Sequence, residues 1–252
     1  MLRKPHDIID VRNKLKMKNT ALFWLTDETS MEVKTASQTL PEWSPHHCLP
    51  CSSGIISLYD NVTEECDIIL AWQVVEDNAI KVDGCVYHKG EIATAVSRLV
   101  YEGETIPAYV SRWRGLNQED FLRRLNSPEV VESAQESLVA LLGAAWTFLN
   151  DLKLTERTPR RVTANPMATH KRKRKHKPET VQIINLRRET YEQHQRSNGN
   201  SDREFQCRWF VKGHWRQQRV GPGRTQRKPV YIAPYIKGPA DKPLKTERIL
   251  KA

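Results

Sequence analysis

Drawn as a regular extended strand, residues 205–218 place Arg208, Lys212, His214 and Arg216 on one face, with Phe210 among them. The other face reads Phe205, Cys207, Trp209, Val211, Gly213 and Trp215. Guanidinium and ammonium groups neutralise phosphates and release their counterions, and an exposed aromatic stacks on bases. The expected chemistry is therefore nucleic-acid binding, carried by Arg208, Phe210, Lys212 and Arg216. Tyr231, Tyr235 and Lys237 lie on the next β-like run and are expected to reach the same side. The same residues permit a second chemistry. His214 or Tyr235 could take a ribose 2′-hydroxyl proton while Arg216 or Lys237 stabilises the pentavalent phosphate. That would be a metal-independent ribonuclease of the toxin type.

Two further clusters invite chemistry. The run His170-Lys171-Arg172-Lys173-Arg174-Lys175-His176-Lys177 is the densest block of positive charge in the chain. Its like charges repel and cannot be buried, so it reads as a mobile linker. Lys171, Arg172, Lys173, Arg174, Lys175 and Lys177 are expected to hold phosphate and to tether nucleic acid near the sheet. In His46-His47-Cys48-Leu49-Pro50-Cys51, Cys48 and Cys51 have the spacing of two zinc ligands. A second close pair is absent, so buried or loop thiols are the reading preferred over a metal site. No Walker loop, no Gly-x-Gly-x-x-Gly, no Gly-x-Ser-x-Gly and no His-Glu-x-x-His occurs, and no cofactor is expected.

The charge is divided along the chain. Residues 1–152 hold 14 Lys and Arg against 22 Asp and Glu, a net of −8. Residues 153–252 hold 26 against 8, a net of +18. An acidic front joined to a basic back points to a polyanionic partner. No apolar run reaches the roughly 18 residues that cross a bilayer. The first ten residues turn acidic where a leader would turn apolar. Five cysteines without a dense framework favour free thiols. A cytoplasmic protein with no membrane partner is expected.

These side chains need elements to hold them. The pattern predicts an α+β protein: a mixed sheet, a long amphipathic helix and a small β-rich C-terminal part. Strands are expected at 54–59, 68–75, 80–87 and 181–186, with Glu76-Asp77-Asn78 as a hairpin turn. Residues 92–101 fit helix or strand. Asn117 can cap one helix. Ser127-Pro128-Glu129 opens another, whose Val131, Ala134, Leu138, Leu141, Ala145, Leu149 and Leu152 recur at helical spacing. That stripe predicts docking on the sheet; the alternative is a protein-interaction module that forms a homodimer through helix 128–152. The expected division is an acidic domain at 1–152, a basic linker at 153–180 and a basic β-rich domain at 181–252.

The segment Arg208-Trp209-Phe210-Val211-Lys212-Gly213-His214-Trp215-Arg216, followed by Pro229-Val230-Tyr231-Ile232-Ala233-Pro234-Tyr235-Ile236-Lys237-Gly238-Pro239, carries a likeness. Over about the last 45 residues the chain resembles an uncharacterised family of hypothetical proteins from actinobacterial phages, plasmids and other mobile elements. The resemblance implies a bacterial mobile-element setting. It attaches no activity and no catalytic residue.

Overall fold

Leu22-Phe23-Trp24-Leu25 is too short for a helix and too apolar for an edge. In the computed structural model it forms strand β1 (Ala21–Leu25), inside a seven-stranded sheet. The structure describes residues 4–59, 66–88, 91–109, 128–163, 178–187, 207–211, 213–224, 226–239 and 242–243. Parallel neighbours flank β1 on both sides, β2 (Ser53–Tyr59) and β7 (Glu179–Leu186). Past β2, an antiparallel meander adds β3 (Cys66–Val74), β4 (Ile80–His88) and β5 (Glu91–Val100). Past β7, β6 (Thr155–Val162) closes the opposite edge. The strand order is β5-β4-β3-β2-β1-β7-β6. Asp77 and Asn78 turn β3 into β4 with φ of 58° and 56°, a left-handed conformation that short polar side chains tolerate.

Helices lie on both faces. Helix α1 (Asp7–Lys14) buries Ile8, Ile9 and Val11 in one apolar cluster with Leu22, Ile55, Ile69, Ala71 and Val181. Helix α2 (Asp27–Ser37) starts at Thr26, whose hydroxyl accepts from the Thr29 amide, and carries Asp27 and Glu28 in its positive first turn. Thr29 in turn donates to the Ile184 carbonyl of β7 at 3.2 Å. A single turn, α3 (Pro45–Cys48), leads into β2. The longest helix, α4 (Pro128–Asn150), begins at the proline the sequence marks.

The expected stripe of α4 docks on the sheet as far as Leu149; the helix ends at Asn150, and Leu152, expected to extend the stripe, is 61% exposed. Leu138, Leu142, Ala145, Trp146, Phe148 and Leu149 are all buried. A string of rings fixes the contact: Phe23 stacks on Trp72, Trp72 meets Trp146 edge-on at 5.3 Å, and Trp146 meets Trp43 edge-on at 5.9 Å. Gly54 makes room, because a Cβ there would lie 2.2 Å from Trp72 Cζ2. The dimer seam expected as the alternative therefore loses its surface, since the apolar face of α4 is used within the chain.

The expected domain boundaries are corrected. Residues 155–162 are not linker but strand β6, paired along its length with β7. The β7 strand, expected to open the C-terminal domain, lies between β1 and β6. The division falls after Leu186, giving units at 1–186 and 187–252. β6 escapes a sequence reading because Thr-Glu-Arg-Thr-Pro-Arg-Arg-Val lacks apolar alternation, and all of it but its two ends is exposed. Charge and Pro159 are what an edge strand needs to resist pairing with another chain. Two contacts tie this edge down. Arg157 donates to the Leu149 carbonyl at the end of α4, and Arg12 of α1 makes a two-pronged ion pair with Glu179.

Among the described residues the second unit holds two small antiparallel pairs. Strands β9 (His214–Val220) and β10 (Gln226–Ile232) form one, and β8 (Trp209–Val211) and β11 (Tyr235–Lys237) the other. The α+β class, with a mixed sheet, a long helix and a small β-rich C-terminal part, is the one expected. Among the described residues no helix is long and apolar enough to cross a membrane.

Candidate nucleic-acid interface

Between Glu204 and Asp241 the sequence holds eight Lys and Arg and no carboxylate. The β9–β10 ribbon lies inside this stretch. Its register sorts the side chains by face, because directly opposed residues share one side. One face pairs His214 with Ile232, Arg216 with Val230 and Gln218 with Lys228. The other pairs Trp215 with Tyr231, Gln217 with Pro229 and Arg219 with Arg227. His214, Arg216, Gln218, Arg219, Arg227 and Lys228 are exposed.

The ribbon tip is built by left-handed residues. Gly221 and Gly223 have φ of 81° and 65°, which glycine adopts freely. Arg224 follows at φ 54°, a conformation disfavoured for a residue with a Cβ, and its amide donates to the Gly221 carbonyl at 3.1 Å. Arg216, Gln217, Gln218, Arg219 and Arg224 line a concave surface of about 440 Å³. Within it Arg216 donates to the Gln218 side-chain oxygen at 3.1 Å. Among the described residues no carboxylate pairs with Arg216, Arg219, Arg224, Arg227 or Lys228.

The continuous face expected over 205–218 is not formed. Between Val211 and His214 the run divides into β8 and β9, which belong to different strand pairs. Tyr231, expected beside His214 and Arg216, points to the other side of the ribbon, where it is buried at 3% exposure against Trp215. Tyr235 and Lys237 pair with Val211 and Trp209, not with Phe210. Lys237 sits over the Trp209 ring at 5.9 Å. Arg208 is tied down as well: its Nε donates to the Lys242 carbonyl at 2.9 Å and its amide to the Pro243 carbonyl at 2.8 Å. Tyr235 and Lys237 thus belong to a different strand pair from His214 and Arg216, and the single strand face on which RNA cleavage was drawn is not formed. Lys212, the side chain of Phe210, the 170–177 tract with Lys171, Arg172, Lys173, Arg174, Lys175 and Lys177, and the Asn117 cap lie outside the described residues.

Sequence reasoning passed over Arg219, Arg224, Arg227 and Lys228. The signal was present. Val220 and Gln226 bracket a five-residue Gly-Pro-Gly-Arg-Thr turn, and folding the chain back on it places Arg227 opposite Arg219.

The first unit offers less. Cys48 is buried and its carbonyl accepts from Asn150 at 2.7 Å; the Cys51 carbonyl accepts from Trp72 at 2.8 Å. The Cys-x-x-Cys loop thus clamps α4 and β3. Burial pushes the Cys51 thiol above its ordinary value, although a backbone hydrogen bond at Ser53 and the nearby Arg157 pull the other way. Among the described residues no three His, Cys, Asp or Glu side chains are placed to hold a metal ion. A cleft of about 430 Å³ between β5, α4 and the 106–109 segment carries Arg98, Glu132 and Glu136, with Arg98 paired to Glu104. Its mixed charge makes no continuous positive surface.

No protein-family profile, no curated protein and no solved structure matches this chain.

Proposed function

We propose that the protein binds nucleic acid through the β9–β10 ribbon, inside a bacterial cell and in the service of a phage or other mobile element. One observation carries the reading. Arg219 stands directly opposite Arg227 at exposed positions, and no carboxylate among the described residues pairs with either. Like charges in that register cost a few tenths to about 1 kcal/mol. A polyanion crossing the ribbon turns this repulsion into attraction. Arg224 adds a third guanidinium on a disfavoured backbone conformation, which also needs a compensating gain. The basic tract at 170–177 supports the reading by composition. The C-terminal resemblance supports the setting.

Fluorescence anisotropy with labelled 20-mers of single- and double-stranded DNA and of RNA tests it on the full chain. Binding is expected at 50 mM salt and should weaken on Arg219→Gln/Arg224→Gln/Arg227→Gln substitution, with the 170–177 tract intact. No binding to any of the probes, or equal binding by the substituted chain, would overturn the proposal.

A further inference from the structure

Resting on that reading, we infer that the ribbon enters the major groove of B-form DNA and reads base edges with Arg216 and Gln218. A two-stranded ribbon and the major groove are matched in size. The groove is about 12 Å wide and accepts a β-ribbon, whereas the undistorted minor groove is only about 6 Å wide. Seven residues of antiparallel strand span about 24 Å, close to seven base-pair steps at 3.4 Å each.

Spacing along one face makes the same point. Arg216 and Gln218 are two residues apart on β9, so their Cα atoms are about 6.8 Å apart, the rise of two base pairs. Their types are those that recognise bases in the major groove. Arg donates in pairs to guanine O6 and N7, and Gln pairs with adenine N6 and N7. The bond from Arg216 to Gln218 holds the two side chains side by side over that face. Lys228, opposite Gln218, projects on the same side.

The aromatics argue against a single-strand platform. Base stacking needs an exposed ring. On the ribbon the rings are Trp215 and Tyr231, packed edge to face at 5.1 Å on the opposite side, with Tyr231 buried. The face away from these rings presents guanidinium, amide and ammonium at Arg216, Gln218 and Lys228, beside half-buried Val230 and Ile232, and these groups form hydrogen bonds and do not stack like an aromatic platform. Arg219 and Arg227, on the other face toward the tip, and Arg224 in the tip are left for the phosphates that border the groove. A-form RNA has a major groove too deep and narrow for a ribbon to read.

Three probes of one mixed sequence are compared on the full chain by anisotropy: the DNA duplex, its single strand and the RNA duplex. A fourth is the DNA duplex with 7-deazaguanine for guanine, which removes the N7 acceptor and leaves pairing and the minor groove intact. The DNA duplex is expected to bind at least tenfold tighter than single strand or RNA duplex. The 7-deazaguanine duplex is expected to bind roughly fivefold or more weaker. Arg216→Ala/Gln218→Ala should abolish that discrimination while retaining binding to phosphate. Equal affinity for all four probes, or tighter binding of the single strand, overturns the groove assignment and leaves nucleic-acid binding standing. Failure to bind any probe sinks both.

Discussion

Arg219→Gln/Arg227→Gln removes two of the five exposed cations of the ribbon and keeps a polar side chain at both positions. Each phosphate neutralised on B-form DNA contributes about −0.9 to the slope of log affinity against log salt. Four phosphate contacts, from Arg219, Arg224, Arg227 and Lys228, give a ribbon slope of about −3.6, and two give about −1.8. Raising salt from 50 to 200 mM should then cost the native ribbon roughly 150-fold in affinity and the substituted one roughly 12-fold. Charges at 170–177 steepen both slopes equally, so the difference of about 1.8 isolates the ribbon. Anisotropy titrations at five salt concentrations read it directly. The substituted chain should melt no lower than the native one, because Arg219 and Arg227 oppose each other and losing both relieves repulsion. Slopes that agree within about 0.3 would refute the assignment of phosphate contacts to these residues.

Three further outcomes concern the first unit. Gly54→Ala puts a methyl 2.2 Å from Trp72 Cζ2, and that indole cannot swing away while its Nε1 donates to Cys51; a loss of about 1–3 kcal/mol is expected in urea unfolding. Glu179→Ala leaves the half-buried Arg12 guanidinium without its carboxylate, at a cost of about 1–3 kcal/mol, with Glu179→Gln restoring part of it. Burial first, then Asp7, Asp10, Asp67 and Glu91, push the Tyr87 phenol up to about 12. The folded state then holds this proton longer than the unfolded chain, whose phenol titrates near 10. Stability is therefore full below pH 10 and falls between about 10 and 12, and Tyr87→Phe should flatten that fall in melts recorded across the interval.

Local pattern made most of the first unit legible. The β3–β4 hairpin, the start of α4 at Pro128 and the interior strands β2 and β7 all carry their signals in adjacent residues, because periodicity and turn chemistry act over a few positions. Residues 92–101 stayed open between helix and strand because neither period dominates there, and pairing with β4 decided for strand. β6 was illegible for a different reason. Its residues are chosen for an exposed edge, and only the partner β7 makes them a strand.

By itself the sequence determined that the chain's positive charge gathers behind residue 152, that no carboxylate dilutes it between Glu204 and Asp241, and that a long apolar helix must cover something. Tertiary structure alone decided which cations stay outward. Alternation over 205–218 predicts one long face, but a strand keeps a face only while it stays straight and paired with one neighbour. The change of pairing between Val211 and His214 ends that, and the fold-back between Val220 and Gln226 puts Arg219 across from Arg227 while Tyr231 turns inward. Register between strands distant along the chain is a property of the pairing, and no single strand contains it.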